Sequence, residues 1–184
     1  MPPQKPARGK LLIAEPFLSD PNFERSVVFV CEHNERGTFG LVFNQSTNLF
    51  LNDVLQEPVA NSLPLYLGGP VEQNTLHFLH RLPFIEDSIP VGDNLYWSGD
   101  FEQIVSMLNV GKITEQDIRF FIGYSGWSAG QLDEEIQKNA WIISEADALF
   151  IFDTPTSQFW RAVLRRMGGE YRIMSHYPTD PSLN

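Results

Sequence analysis

The sequence predicts a single α+β domain with a mixed or antiparallel sheet and flanking helices. Three observations carry this. Short β-branched and apolar runs form hairpin-like pairs early in the chain. Clearer amphipathic helices come later, and the two kinds do not alternate as a doubly wound parallel sheet requires. The chain has 184 residues, 42% of them hydrophobic and 14 of them Phe, which suffices for one core without disulfide or metal staples.

The elements follow in order. Residues 1–10 hold three prolines and little to bury, so they read as a tail; 11–176 form the domain, and 177–184 (Y-P-T-D-P-S-L-N) read as a second tail. Leu11–Ala14 is a short strand, and Ser26–Glu32 (S-V-V-F-V-C-E) is a buried one. A turn cluster over His33–Gly37 joins it to a strand over Thr38–Asn44, a hairpin with a loop of about five residues. Leu51–Gln56 reads as one or two helical turns. Leu65–Leu67 is a strand stopped by Gly68-Gly69-Pro70, and Thr75–His80 and Leu95–Trp97 are further strands. Asp100 opens a helix with Gln103 at the capping-box spacing and Phe101, Ile104, Val105 and Leu108 on its apolar face; Gly111 ends it. Ile118–Ile122 is a strand, Gln131–Asn139 a helix, and Ala140–Ile143 and Ala148–Phe152 strands. Thr154-Pro155 starts a last helix that Gly168 ends.

Composition excludes several functions. No apolar run approaches the roughly 20 residues that span a bilayer, and Leu11–Ala14 is too short for a signal peptide. The single cysteine, Cys31, has no intrachain partner, which suits a reducing compartment; a cytoplasmic protein is expected. A net charge of −10 argues against direct nucleic-acid binding. The counter-hint is a cluster of Arg161, Arg165, Arg166 and Arg172, but three of these fall in the last turns of the predicted helix, where cations suit the dipole.

The stretch Gly126-Trp127-Ser128-Ala129-Gly130 matches G-x-S-x-G, the nucleophile elbow of α/β-hydrolases. Asp147 or Asp153 and then His176 complete the hydrolase order. Helix capping accounts for more residues. With Ser128 as N-cap, Gln131 completes a capping box, Trp127 and Leu132 take the hydrophobic-staple positions, Asp133, Glu134 and Glu135 meet the positive end of the dipole, and Glu134 pairs with Lys138. The leading expectation is therefore a capping Ser128, with a serine hydrolase using Ser128 as the alternative. A phosphate cradle at the same glycines lacks its lysine and is opposed by the acidic run.

Other signals are weaker. Cys31 and His33 are two apart on a strand, as a Cys–His dyad would be, but no electropositive neighbour activates the thiol. His77 and His80 fall on opposite faces of a strand, so they cannot share a metal. No catalytic residue, metal or cofactor is expected, and the partner is expected to be a protein or a small molecule.

Several segments together resemble the bacterial AlgH/YqgE family. They are Leu12-Ile13-Ala14 with Pro16; Asp20-Pro21-Asn22-Phe23 with Arg25-Ser26-Val27-Val28; Glu32-His33-Asn34 with Gly37; Gly40-Leu41-Val42 with Asn44; Gly68-Gly69-Pro70-Val71; and Gly123-Tyr124 with Gly126-Trp127, Gly130-Gln131-Leu132, Glu135-Ile136 and Trp141. The resemblance spans roughly Leu11 to Gly168. It implies an α+β fold, a cytosolic location, no established enzymatic activity and a link, in some members, to transcriptional control of exopolysaccharide synthesis. The family pattern leaves the position of Ser128 open. Asp133 stands where the family usually has Glu, and Gln45-Ser46 where a basic residue and proline are common. The expected function is thus a non-enzymatic binding or regulatory protein. Its candidate surface comprises Glu32, His33, Asn34, Asn44, Gly68, Gly69, Pro70, Trp127 and Gln131, the motif residues that fall at predicted element ends.

Overall fold

The computed structural model describes residues 4–180. The parts of the two predicted tails at 1–3 and 181–184 lie outside the described residues. The strands are β1 (Lys10–Ala14), β2 (Val27–Asn34), β3 (Gly37–Val42), β4 (Ser46–Phe50), β5 (Pro64–Leu67), β6 (Val71–His80), β7 (Ile89–Gly92), β8 (Leu95–Trp97), β9 (Ile118–Ser128) and β10 (Trp141–Glu145). The helices are α1 (Phe101–Asn109), α2 (Gln131–Gln137), α3 (Ala148–Asp153), α4 (Phe159–Met167) and α5 (Gly169–Met174).

β9 ties the molecule together. One of its edges pairs antiparallel with β6. Its other edge takes β5 in parallel beside Phe120–Ile122 and β3 antiparallel beside Ser125–Ser128. The main path runs β10-β1-β2-β3-β9-β6-β8-β7, with β4 attached through β5. The α+β expectation with a mixed sheet therefore holds, and among the described residues the one parallel pair is β5–β9.

Alternation along β1 and β2 sorts residues to two faces. Leu11, Ile13, Val27, Phe29 and Cys31 face a core shared with Ile151, Phe152, Phe159 and Leu164 of α3 and α4. Leu12, Ala14, Val28 and Val30 face a second core with Trp127, Leu132 and Trp141. Helices thus cover both faces, which is why these strands read as continuous apolar runs. A third core packs Ile104 and Leu108 of α1 against Leu65, Ile118 and Phe120.

Several expectations are corrected. The β2–β3 hairpin is tighter than predicted, because the strands run into the turn and Asn34 pairs with Gly37. Asn34 Oδ1 accepts from Arg36 N at 2.8 Å, holding the bend. β4 and β7 are strands with no signal in the sequence; Pro90 and the Gly92-Asp93-Asn94 turn that follows disguise β7. Leu51–Gln56 reduces to a short 3-10 turn over Leu51–Asp53.

Ala148–Phe152, predicted as a strand, is helix α3. Asp147 caps it, accepting from Phe150 N at 3.2 Å, and adjacent Ile151 and Phe152 are both buried, a helical pattern. Short apolar runs cannot be assigned by periodicity alone. Thr154-Pro155 does not cap the last helix; a 3-10 turn over Thr156–Gln158 intervenes before α4. Gly168 ends α4 as predicted, with φ 74°. Tyr177 stacks on Phe17 at 5.7 Å, and the carbonyls of Tyr177 and Pro178 accept from Arg25 Nη2, so this part of the C-terminal segment is docked.

His80 on β6 is fully buried. Its Nδ1 accepts from Leu82 N at 3.2 Å and its Nε2 lies 2.8 Å from the Ser98 carbonyl, an arrangement that suits the neutral ring with a proton on Nε2. Burial pushes its pKa down, and that of half-buried His77 likewise. The unfolded chain therefore takes up these protons first as pH falls. Stability should drop as pH falls through about 6.5 towards the lower native values. Urea unfolding from about pH 7 to 5 should show a falling midpoint, and His80→Gln should flatten the dependence.

Candidate functional site

Side chains of β3 and β9 alternate between the two faces, and near the β2–β3 turn they frame an open cleft of about 460 Å³. Phe39, Tyr124 and Val71 supply its apolar surface, Glu32, Asn34 and Arg36 its polar rim, and Gly126 its bare floor. The register explains this grouping. Glu32 opposes Phe39, and Phe39 opposes Gly126, so all three share a face. Phe39 stacks on Tyr124 at 4.5 Å and on Trp97 at 4.8 Å, which fixes its ring. A Cβ at Gly126 would meet only the Tyr124 ring, at 3.3 Å, so glycine keeps the floor clear.

A bulge at Cys31 sets the face. Val30 opposes Gly40 while Glu32 opposes Phe39, leaving Cys31 as the extra residue. Cys31 and the following Glu32 therefore both turn towards the Phe39 side, and His33 turns away. The Cys–His dyad fails for this reason: His33 Nδ1 lies 2.7 Å from Thr38 Oγ1, while Cys31 is fully buried with its thiol pKa pushed up by burial.

Of the nine residues expected to form a surface, Glu32, Asn34 and Trp127 line the cleft. Asn34 Nδ2 donates to Glu32 Oε1 at 3.0 Å, so the rim is pre-organised. Gly68, Gly69 and Pro70 deliver Val71 to it, with Gly68 accepting from Val42 N and from Ser125 Oγ. Asn44 lies elsewhere: its side chain accepts from Val27 N and donates to the Arg25 carbonyl, replacing a missing strand neighbour. His33 and Gln131 are not in the lining. Phe39, Tyr124, Val71 and Gly126 were missed. The signal for them was the alternation Tyr124-x-Gly126 in a strand that sequence reading ended at Ile122.

Trp127 is held from behind. Its indole Nε1 donates to Glu135 Oε2 at 2.8 Å, as does that of Trp141, also at 2.8 Å. Gln131 Nε2 donates to Glu135 Oε1 at 3.0 Å. Phe23 stacks on Trp127 at 6.0 Å and meets Trp141 edge-on at 5.5 Å. One half-buried carboxylate thus gathers two indoles and an amide.

The capping role expected of Ser128 is overturned. Ser128 is the last residue of β9, held extended by pairing with Gly37, and the N-cap of α2 is Gly130 with φ 76°. Ser128 Oγ makes no bond to a helix amide; it lies 3.3 Å from Gln131 Oε1 and donates to it. Of the bonds expected of a capping box only the one from Ser128 N to the same oxygen is present, at 3.0 Å, and with Gly130 at the N-cap it lies outside a box. Trp127 and Leu132 do join one core cluster, but with Gly130 at the N-cap they are no longer the staple positions. Glu134 and Lys138 form no ion pair among the described residues; those that form are Lys10–Glu145, Arg81–Asp117 and Arg166–Asp147.

The hydrolase alternative gains no support. An elbow needs its serine on a tight strand-to-helix turn against an imidazole. Ser128 sits in a paired strand with its hydroxyl on an amide oxygen, and His176 follows α5, bonding through its backbone to Ile173. His77 and His80 contact different groups, as opposite faces require: His77 meets Phe39 and Tyr124, and His80 stacks on Tyr96. Among the described residues, no group of three metal-ligating side chains is found. No helix is long and apolar enough to cross a membrane, again among the described residues.

Comparison with known proteins agrees with this architecture. The chain is 46% identical over 179 residues to a UPF0301 protein of Cytophaga hutchinsonii, covering 96% of this chain and 98% of that one. It is 39% identical over 180 residues to a UPF0301 protein of Bacteroides thetaiotaomicron, covering 97% and 92%. Its fold matches the solution structure of the AlgH protein from Pseudomonas aeruginosa, with TM-score 0.74, 31% identity and coverage of 97% and 98%. A crystal structure of a Corynebacterium diphtheriae protein shares the fold with TM-score 0.77 at 24% identity, covering 96% and 95%. A family profile described as AlgH-like matches residues 11–172, and the chain belongs to that family.

Proposed function

We propose that this chain is a non-enzymatic binding protein of the cytosol that acts in regulation through a protein partner. The partner lays a short extended segment in the cleft over Gly126. The observation that carries this reading is the bare floor at Gly126 beside Phe39 and Tyr124. A shallow, open hollow of this kind suits a chain segment better than a small molecule, which favours an enclosed pocket. The aromatic surface takes an apolar side chain, and on the rim, where Glu32 and Arg36 both stand, Glu32 takes a basic one. The net charge of −10 likewise favours basic partners and disfavours nucleic acid.

A random peptide display library tests this. The native chain should enrich peptides with an aromatic or long aliphatic residue near a Lys or Arg. Gly126→Leu, which fills the floor from an exposed position, should lose that enrichment while unfolding at nearly the native temperature. Equal enrichment on both chains, or none on the native one, contradicts the proposal.

A further inference from the structure

We infer that a second cleft, beneath Arg119, binds the carboxylate of a small monoanionic ligand. This cleft, about 590 Å³, shares no lining residue with the first. Arg119 projects from β9 and is only 6% exposed. Its guanidinium lies 4.2 Å from the Phe43 ring centroid and 4.7 Å from that of Tyr66, so aromatic rings fix its position. One donor is used: Nη1 donates to the Phe43 carbonyl at 3.3 Å. A guanidinium carries five N–H donors. Among the described residues no carboxylate pairs with Arg119, and the side-chain nitrogens sealed away without a partner belong to Arg25. The remaining donors of Arg119 therefore open into the cleft that it lines.

Such a group is costly to bury. A charged side chain this deep normally has an ion partner. Burial pushes its pKa down to about 10, which still leaves it charged at neutral pH. A ligand anion supplies the missing partner, and the planar fork matches a carboxylate through two parallel bonds. Charge on the rim selects the anion. Arg81 adds a cation, but Asp117 engages it at 3.7 Å. Glu115 and Asp153 also line the cleft and oppose a doubly charged ligand such as phosphate more strongly than a single carboxylate. Thr156 and Ser157 offer further hydroxyls for orientation.

The test follows the Nε–H signal of Arg119 in nitrogen–proton NMR spectra of the full chain. Acetate, benzoate and inorganic phosphate are titrated at constant ionic strength. The expected result is a saturable shift with the carboxylates, at a Kd of about 1 mM or tighter. Arg119→Lys should abolish the matching saturable shifts of the Phe152 and Ser157 backbone amides, which line the same cleft. Asp153→Asn, at an exposed position that leaves the fold intact, should tighten carboxylate binding by about 1.5- to 5-fold. An Arg119 signal that carboxylates leave unmoved overturns the inference, and so does one that phosphate moves at lower concentration. Both readouts stand on the native chain even if Arg119→Lys fails to fold.

Discussion

Gly69→Ala should lower the unfolding free energy by at least about 3 kcal/mol, the sum of overpacking and backbone strain at one position. Gly69 has φ 157°, and a Cβ there would sit 2.2 Å from the backbone of Tyr124 and 2.4 Å from Ser125 Oγ. Neighbouring Gly68 is no freer, with its Cβ direction 2.4 Å from the Gly123 carbonyl. Here the loop after β5 crosses directly over β9, main chain on main chain. No side-chain rearrangement relieves the clash, because both partners are held by sheet bonds, among them Gly68 N to the Ile122 carbonyl at 2.9 Å. Gly111→Ala is the control. It has φ 68° but open space around it, so it should cost only about 1 kcal/mol. Thermal unfolding checks both. A loss of 3 kcal/mol corresponds to roughly 6–12 °C in a chain of this size.

Glu135→Ala should cost about 2–4 kcal/mol, since it strands two indole N–H groups that share one oxygen. The loss should appear as a lower urea midpoint with an unchanged slope and weaker near-ultraviolet circular dichroism from Trp127 and Trp141. Glu135→Gln retains an acceptor oxygen and should cost less than half as much. Equal losses in the two variants would mean that the charge, rather than the shared acceptor, holds the tryptophans. Through the Trp127 indole, Glu135 steadies the end of β9 from behind the proposed binding surface.

These two sites show what the sequence made legible. Gly68-Gly69-Pro70 marked a turn, and the turn is there; the backbone crossing that forbids any side chain joins residues far apart in the chain and left no local trace. The acidic run at Asp133–Glu135 read as a helix N-terminus, and Asp133 and Glu134 do occupy the first turn of α2. Glu135 instead turns inward to the indoles, which only the docking of α2 against β10 decides. Ser128 shows the opposite failure. A local spacing fitted a cap, but β3 pairs with the end of β9 and holds the serine extended, so Gly130 takes the corner. Strands that alternate or run apolar were found, as with β1 and β2. Ala148–Phe152 was misassigned because five apolar residues carry no period, and the deciding bond comes from Asp147, just outside the run. Half of the cleft was hidden for a related reason: Tyr124 and Gly126 read as loop residues when they stand side by side on one face of a long strand.

The central claim is that partners are bound over Gly126. The most direct measurement maps backbone amide shifts of the native chain as a peptide enriched by display is added. Binding in the cleft predicts that the largest saturable shifts fall on Glu32, Gly37, Phe39, Tyr124, Gly126 and Trp127, with the Arg119 region and α4 unmoved. Shifts centred on α4, on the Arg119 cleft or spread without a focus would contradict it.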